Sequence, residues 1–519
     1  MSTPALLTVA PRRVTELTSL IRSTTTELRT TVSPLTGDEV ATVPVSSNAD
    51  VEAAFAAARA AQVIWARTPL HVRKKALLRL HDLILAHQFE LLNLIQTESG
   101  KARAHAFDEV LHTALTCRYY GRRLNRILGP HRRSGVYPLL TGVRQYQHPK
   151  GVVGLITPWN YPLSMAFVDG LAAVAAGNAV VQKPDSQAPL TALAIVELMR
   201  KAGFPADLWQ IVSGAGSVIG SAIIERADYI CFTGSTATGK RIAEQCSQRL
   251  IGASLELGGK NPMIVLPGAD VDKAVEGTIT AAFSSAGQLC VSIERIYIHE
   301  SIYNQYRDAL AARVSAMSFG ANGDWEVEMG TLVSPAQLAT VEKHVQDARD
   351  NGAVVVVGGK ARPDIAPWFH EPTVLENVTE AAQCFAEETF GPVVSLYPYT
   401  VIGEAIDQAN ATVYGLNASV YGPAHRAAQV AAKIQAGTVN VNEGFAATFG
   451  SIDAPMGGMK QSGTGRRQGA EGLLRFTESQ AVGVQRVMPV AGPPQLSHEA
   501  FSRLITLGLR ALRRLTWKA

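Results

Sequence analysis

Tyr229-Ile-Cys-Phe-Thr-Gly-Ser-Thr-Ala-Thr-Gly239 is a short apolar run that enters a turn bounded by Gly234 and Gly239 and opens into a helical segment. A strand that ends in such a turn and feeds a helix is the βα unit of a sheet covered on both faces, and free amides at the helix start can meet an anion. Working outward, Gly151-Val-Val-Gly-Leu-Ile156, Ala179-Val-Val-Gln182 and Leu208-Trp-Gln-Ile-Val212 repeat the pattern, with helical stretches between them. Strands buried on both faces read as continuous apolar runs, so these four predict a parallel, doubly wound α/β sheet. The G-x-G-x-x-G fingerprint is missing after the first strand, where Thr157-Pro-Trp-Asn160 stands instead, and Gly234 to Gly239 is the substitute phosphate turn.

Downstream, a second α/β unit begins near Gly259, with strands expected at Met263–Leu266, Ile296–His299, Val354–Val357 and Val393–Tyr397. Upstream, residues 1 to about 45 are poor in periodic apolar positions and rich in Thr and Ser, which reads as a loosely attached arm ending in Val40-Ala-Thr-Val-Pro44. Helices are expected from an Asn48-Ala-Asp50 cap to Ala61, in one run from Val72 to Thr97, and from His105 to Arg126. Val136 to His148 alternates between Gly and Pro punctuation as a β-hairpin does, and Pro489 to Pro494 reads as a linker.

The chain has 519 residues, 47% hydrophobic and 18% charged, enough for more than one core. It holds no run of 18 apolar residues, and Met1 to Arg13 lack the apolar stretch of a signal peptide, so a cytoplasmic location is expected. Cys117, Cys231, Cys246, Cys290 and Cys384 are scattered, with no C-x-x-C pair and no His cluster at metal spacing, which points away from a disulfide framework and from a metal site. The net charge of +4 resides entirely in the C-terminal tail, where Arg503, Arg510, Arg513, Arg514 and Lys518 face one acid, Glu499. The body is balanced, so a nucleic-acid partner is not expected. In the tail, Phe501, Leu504, Ile505, Leu512 and Leu515 recur at helical spacing, forming a basic amphipathic helix that either docks on a partner subunit, the favoured reading, or lies on a membrane surface.

Two blocks carry chemistry. Glu256 opens Glu256-Leu-Gly-Gly-Lys-Asn-Pro262, and Cys290 closes Gly287-Gln-Leu-Cys290. A thiol after a Gly turn can be a covalent nucleophile, and a carboxylate brought beside it can activate the water that later releases an acyl group. With Pro158-Trp-Asn-Tyr-Pro162, Gln182-Lys-Pro184, Phe232-Thr-Gly-Ser-Thr-Ala-Thr-Gly239, Glu388-Thr-Phe-Gly-Pro392 and Pro455-Met-Gly-Gly-Met-Lys-Gln-Ser-Gly463, these blocks stand in one order from about residue 45 to 485, and the chain thereby resembles the aldehyde dehydrogenase superfamily, within it most nearly the second-type bacterial succinate-semialdehyde dehydrogenases.

The resemblance implies two doubly wound α/β domains plus a small β oligomerisation domain. Residues 1–126 and 149–258 would bind the dinucleotide, 259–457 would be catalytic, 127–148 and 458–490 would bridge subunits of a homo-oligomeric dimer or tetramer, and 491–519 would be the tail. It further implies that Cys290 adds to the aldehyde, that Asn160 and the Cys290 amide hold the oxyanion, and that Glu256 is the base for thioester hydrolysis. Thr157, Pro158, Trp159, Lys183, Ser186, Gly234, Ser235, Gly239, Leu257, Glu388 and Phe390 would form the cofactor site, with Lys183 on the adenosine ribose, Glu388 on the nicotinamide ribose and Phe390 against the nicotinamide, although an isolated Phe is more often core. Ser186 stands where NAD-preferring relatives commonly have Glu. Without that negative charge NADP is the expected cofactor, NAD being an alternative, and Asp185 is the residue that would oppose it. The two arginines that hold a substrate carboxylate in better-known succinate-semialdehyde dehydrogenases are Val168 and Ser284 here, leaving Arg295 or Lys460 as candidate replacements. Ser292 replaces a second thiol found in some relatives, so oxidation would fall on Cys290 alone.

Overall fold

The structure, a computed structural model, describes residues 7–137, 141–486 and 489–513. The four expected strands form one side of a six-stranded sheet, with Trp209–Ile211 at its edge, in the order Gly463–Thr464, Gly252–Glu256, Tyr229–Thr233, Val152–Ile156, Ala179–Lys183, Trp209–Ile211. All neighbours are parallel except the first pair, where Gly463 and Thr464 run antiparallel to Glu256 and Leu255. The strand Gly252–Glu256 escaped the sequence reading because its Gly-Ala-Ser start is not apolar.

A seven-stranded sheet follows, in the order Val354–Val357, Thr373–Glu376, Val393–Tyr399, Ile293–His299, Asn261–Val265, Asn417–Tyr421, Thr438–Val441. Its four expected strands are present, and Val354–Val357 is an antiparallel edge. Asn417–Tyr421 and Thr438–Val441 were not foreseen, because their polar residues mask the apolar pattern. These residues satisfy one another inside: Thr438 Oγ1 and Asn440 Nδ2 both donate to Asn417 Oδ1 at 3.0 Å, and Asn417 Nδ2 donates to the Val291 carbonyl at 2.9 Å.

The N-terminal segment corrects the expectation of a loose arm. A helix, Pro11–Thr18, buries Leu17 and directs Arg13 to Glu90 and Glu197, each at 2.7 Å. An antiparallel hairpin, Leu28–Val32 with Glu39–Pro44, follows and is tied to the first sheet where the Ser46 N–H donates to the Ser213 carbonyl at 3.0 Å. Few apolar side chains suffice here because the Ser and Thr hydroxyls bond to backbone: Ser23 and Thr25 both donate to the Val45 carbonyl.

The first of the helices expected from sequence spans Asn48–Arg67 and is capped one residue earlier than expected, by Ser47, whose hydroxyl accepts from the Asp50 amide while Asp50 accepts from the Ser47 amide. The single run from Val72 to Thr97 is two helices, Leu70–Ala86 and Gln88–Ser99, which break at His87 so that both apolar faces reach the core. The next helix spans Arg103–Leu128.

The expected hairpin is His131–Arg133 against Thr141–Pro149, extended into a three-stranded sheet by Thr477–Gln485; its residues 138–140 lie outside the described ones. The expected bridging segment 458–490 divides: Gly463–Thr464 completes the first sheet, the helix Gly469–Leu474 packs on the helices of that layer, and only Thr477–Gln485 joins the small sheet. In the tail, a helix spans His498–Leu512, and Phe501 meets Tyr137 edge to face at 6.5 Å, whereas Leu504, Leu507 and Leu509 are exposed. Arg514, Leu515 and Lys518 lie outside the described residues. No helix among the described residues is long and apolar enough to cross a membrane.

Candidate active site

Cys290, Glu256 and Asn160 come together between the carboxyl ends of the first sheet's strands and the amino ends of the second's, in a cavity of about 260 Å³ also lined by Pro158, Trp159, Met165, Gly234, Ser235, Leu257, Glu388 and Phe390. Each is positioned by a different local device. Cys290 follows Ser285, Ala286 and Gly287, three consecutive residues with φ between +53° and +70°. Gly287 is obligatory there, since a Cβ would lie 2.1 Å from the Gly391 carbonyl oxygen. Glu256 ends its strand with its side chain buried, and the next amide, of Leu257, donates to the Ser462 carbonyl at 2.9 Å.

Asn160 rests on a buried ion pair that sequence reading missed. Lys101 Nζ donates to Glu109 Oε1 at 2.7 Å and to the Asn160 carbonyl at 2.6 Å, and lies 3.6 Å from the centre of the Tyr161 ring. Glu109 Oε2 accepts from the Leu163 and Ser164 amides, so one carboxylate and one ammonium hold the whole Asn160 to Ser164 turn. The Asn160 side-chain amide donates to the Gln288 carbonyl at 2.9 Å, which binds it to the loop carrying the thiol.

The electrostatics depend on Arg467, another residue missed in the sequence. It is buried; its Nη2 donates to Asp169 at 2.8 Å and to Thr233 at 3.1 Å, and its Nε lies 3.8 Å from Glu256 Oε1. Neither the Nε nor that Oε1 has a hydrogen-bond partner. Arg475 Nη2 donates to the other oxygen of Asp169 at 2.5 Å. Burial pushes Glu256 up to about 7 against the pull of Arg467, with Asp169 adding to the rise. Burial likewise pushes the Cys290 thiol up to about 12, only partly offset by Arg467, so in the free protein the thiol is protonated. The other cysteines are buried.

Beyond the thiol, Tyr161, Met165, Leu289, Val291, Phe445, Phe449 and Met456 form an apolar wall against which Cys290 packs. Val168 and Ser284 are buried nearby in sequence and supply no cation. Arg295 and Lys460 do not replace them. Arg295 is buried and spends its donors on Lys260, Tyr297, Gln408 and Ala409, and Lys460 is an exposed residue donating to the Asn410 and Thr412 carbonyls. Neither lines the cavity.

On the other side the cavity opens, through shared walls at Pro158, Trp159, Gly234 and Ser235, into a groove of about 720 Å³ that also contains Thr157, Lys183 and Ser186. The groove passes the start of the helix Thr236–Gln248, capped by Ser235, as a phosphate site requires. Two of the expected turn residues do not offer their amides: the Gly234 amide donates to the Glu256 carbonyl, and Gly239 lies inside the helix, its amide donating to Ser235 and its missing Cβ making room for Leu257. Gly239 is therefore a packing glycine rather than a phosphate contact.

At the cavity end, Trp159 and Phe390 meet edge to face at 5.7 Å. Phe390 adopts φ +52°, held there because its amide and that of Thr389 donate to buried Glu294. This answers whether Phe390 is a core aromatic: it lines the cavity. Glu388 accepts from the Gly259 amide at 2.8 Å, and burial, then Glu294, push it up to about 8. A nucleophile, a carboxylate near neutrality and amide donors at one end, joined to an elongated groove with a cationic far end, suit a dinucleotide cofactor and acyl-thiol chemistry.

Residues 21–482 match the model of the aldehyde dehydrogenase family. A Mycolicibacterium smegmatis protein named "Putative succinate-semialdehyde dehydrogenase", with NADP(+) in its name, is 49% identical over 481 residues, which cover 92% of this chain and 93% of its own. The mitochondrial succinate-semialdehyde dehydrogenase of Oryza sativa is 37% identical over 86% of this chain and 84% of its own. The structure of an aldehyde dehydrogenase from Bacillus cereus superposes with a TM-score of 0.87 at 34% identity, covering 93% of this chain and all of the other. Matched over that span, and alike in sequence and backbone across most of its length, this chain belongs to the aldehyde dehydrogenase family, enzymes that act on aldehydes.

Proposed function

We propose that this enzyme oxidises succinic semialdehyde to succinate with NADP+, through a thioester on Cys290. The observation that carries the chemistry is the single cavity shared by Cys290, Glu256 and Asn160. The substrate and cofactor rest on the relative from M. smegmatis, and the cofactor also on Ser186 and Lys183 in the groove.

Cys290 adds to the aldehyde carbon once its proton is lost, and the oxyanion that forms is met by the second hydrogen of the Asn160 amide and the Cys290 backbone N–H. Bound NADP+ supplies the acceptor for the hydride that leaves this carbon. Glu256, poised at about 7, then takes a proton from water, which attacks the thioester and frees the acid. Trp159, Leu257, Glu388 and Phe390 would surround the nicotinamide end, while Thr157, Pro158, Gly234 and Ser235 would line the pyrophosphate path. Residues 1–126 and 149–258 would serve as the dinucleotide-binding part and 259–457 as the catalytic part, in a cytoplasmic homo-oligomer assembled through the small sheet.

The apolar wall and the loss of both carboxylate-binding arginines favour a second reading, an uncharged aliphatic aldehyde. One experiment separates them: NADPH formation by the purified protein with succinic semialdehyde and with a long-chain aliphatic aldehyde, beside Cys290→Ala. Turnover of succinic semialdehyde that vanishes in Cys290→Ala supports the first reading. Turnover of the aliphatic aldehyde alone overturns it.

A further inference from the structure

The adenosine end of the groove is built partly by a segment that the sequence presented as a loose arm. Arg29, on the hairpin strand Leu28–Val32, lines the groove together with Lys183, Ser186, Ser217 and Arg241, and also lines the adjoining recess formed by Pro44, Asp185, Ser186 and Gly214. Its guanidinium is exposed and has no carboxylate partner or hydrogen bond among the described residues. Its backbone is nevertheless held in place, because the hairpin pairs Arg29 with Val43, and the end of that partner strand locks to the sheet where the Ser46 amide donates to the Ser213 carbonyl and Ser213 donates back to Ser46 Oγ and to the Pro44 carbonyl.

The charges around this point do not cancel. Lys183 Nζ is buried and donates to the Pro184 carbonyl at 3.1 Å; burial lowers its pKa, Asp185 opposes that through space, and Arg29 acts on it, more weakly, as a second positive charge. Asp185, the residue that would repel an anion, lines the same groove and recess; its Oδ1 accepts from the Gln187 amide at 2.9 Å, two residues on, and although its charge reaches Lys183 through space it forms no ion pair with either cation. Ser186 contributes a hydroxyl, directed to the Gly214 carbonyl at 3.4 Å, where a carboxylate would otherwise stand. Two cations without an ion-pair partner, set against one carboxylate and flanking a small hydroxyl, leave a positive excess for a dianion, and a planar guanidinium suits a phosphate with two parallel donors.

We infer that Arg29 reads the 2′-phosphate of NADP+, closing from the N-terminal hairpin a phosphate site whose other walls are Lys183 and Ser186. This rests on the cofactor reading above and assigns it a residue. The specificity would then depend on a contact between two parts of the chain remote in sequence, and the hairpin would serve as part of the cofactor site.

The test is Arg29→Gln, with Arg29→Lys beside it, in two measurements. Kinetics give kcat/KM for NADP+ and for NAD+ at saturating aldehyde, and calorimetry gives affinities for 2′-phospho-ADP-ribose and ADP-ribose. The NADP+ to NAD+ ratio of kcat/KM is expected to fall about ten- to a hundred-fold in Arg29→Gln, the loss of a charge-assisted hydrogen bond, with partial recovery in Arg29→Lys. The affinity for 2′-phospho-ADP-ribose should fall in step, and that for ADP-ribose should not. An unchanged ratio in Arg29→Gln, with the parent still preferring NADP+, overturns the role of Arg29 and leaves the cofactor reading standing. Equal losses for both nucleotides make the hairpin contact merely structural and overturn it too. A parent protein that binds the two ADP-ribose compounds equally overturns the cofactor reading and the assignment together.

Discussion

Replacing Arg467 by Met should move the pH dependence of acid release toward higher pH. Two unit charges 3.8 Å apart attract by ~4 kcal/mol at an effective dielectric of ~20, which is an upper bound of about three pKa units on Glu256. Asp169, 2.8 Å from the far side of the guanidinium, claims part of that field, and a shift of about one to two units is the working expectation. The sign follows from the charges: a cation favours the carboxylate, so its removal raises Glu256 from about 7 toward 8 or 9. The ionised fraction at pH 7 then drops from about one half to between one tenth and one hundredth, and deacylation slows roughly five- to fifty-fold, with recovery by pH 9 to 10. The groups facing Glu256 are Arg466, Arg467, Arg475, Asp169, Cys231 and Cys290, so Asp169→Asn serves as the opposite perturbation and should lower the apparent pKa. The assay is kcat against pH, under conditions where a burst of NADPH shows deacylation to be limiting, with Arg467→Lys restoring the parent profile. A profile unmoved by Arg467→Met in a folded protein, or one displaced to lower pH, would refute this account.

Glu256→Gln should leave the first turnover of NADPH intact, about one per subunit, and stall afterwards; a normal steady state would remove Glu256 as the base. Alkylation of Cys290 by iodoacetamide in the free protein should be slow at pH 8 and rise about ten-fold per pH unit to pH 10, since burial holds the thiol near 12; a plateau by pH 8 contradicts that protonation state. Lys101→Met strands a buried carboxylate on Glu109 and should cost about 3–5 kcal/mol in denaturant unfolding, less in the Lys101→Met, Glu109→Gln double variant. Gly287→Ala drives a Cβ into the Gly391 carbonyl at 2.1 Å, so soluble yield and activity should both collapse.

The parallel sheets were legible because Val152–Ile156 and the Ala179-Val-Val181 start of the next strand are short apolar runs, and Cys290, Glu256 and Asn160 because they stand in dense blocks of Gly and Pro whose spacing is restrictive. What stayed hidden has physical causes. Asn417–Tyr421 buries amides that satisfy one another, which no hydropathy pattern reveals. The hairpin at Leu28–Val32 holds by Ser and Thr hydroxyl bonds, so it looked unattached. Arg467 and Lys101 looked like ordinary basic residues because their importance arises from burial beside Glu256 and Asn160, a relation between distant segments. Gly239 shows the converse: its place in a glycine turn suggested a phosphate contact, and the close packing of Leu257 accounts for it instead.

While the chain is being synthesised, the strand ending at Glu256 has no neighbour on its outer side. Its partner Gly463 emerges 463 − 256 = 207 residues later, a delay of about 10 to 40 s at ordinary elongation rates. Throughout that interval the nascent protein carries an open sheet edge and, from 290 − 256 = 34 residues onward, the thiol of Cys290, while Arg467 has not yet emerged. One later stretch of chain both seals the edge and supplies the charge that Glu256 faces, so a ribosome-bound fragment stopped short of Gly463 should release acid slowly at neutral pH and should depend on chaperones to keep its exposed strand from pairing elsewhere.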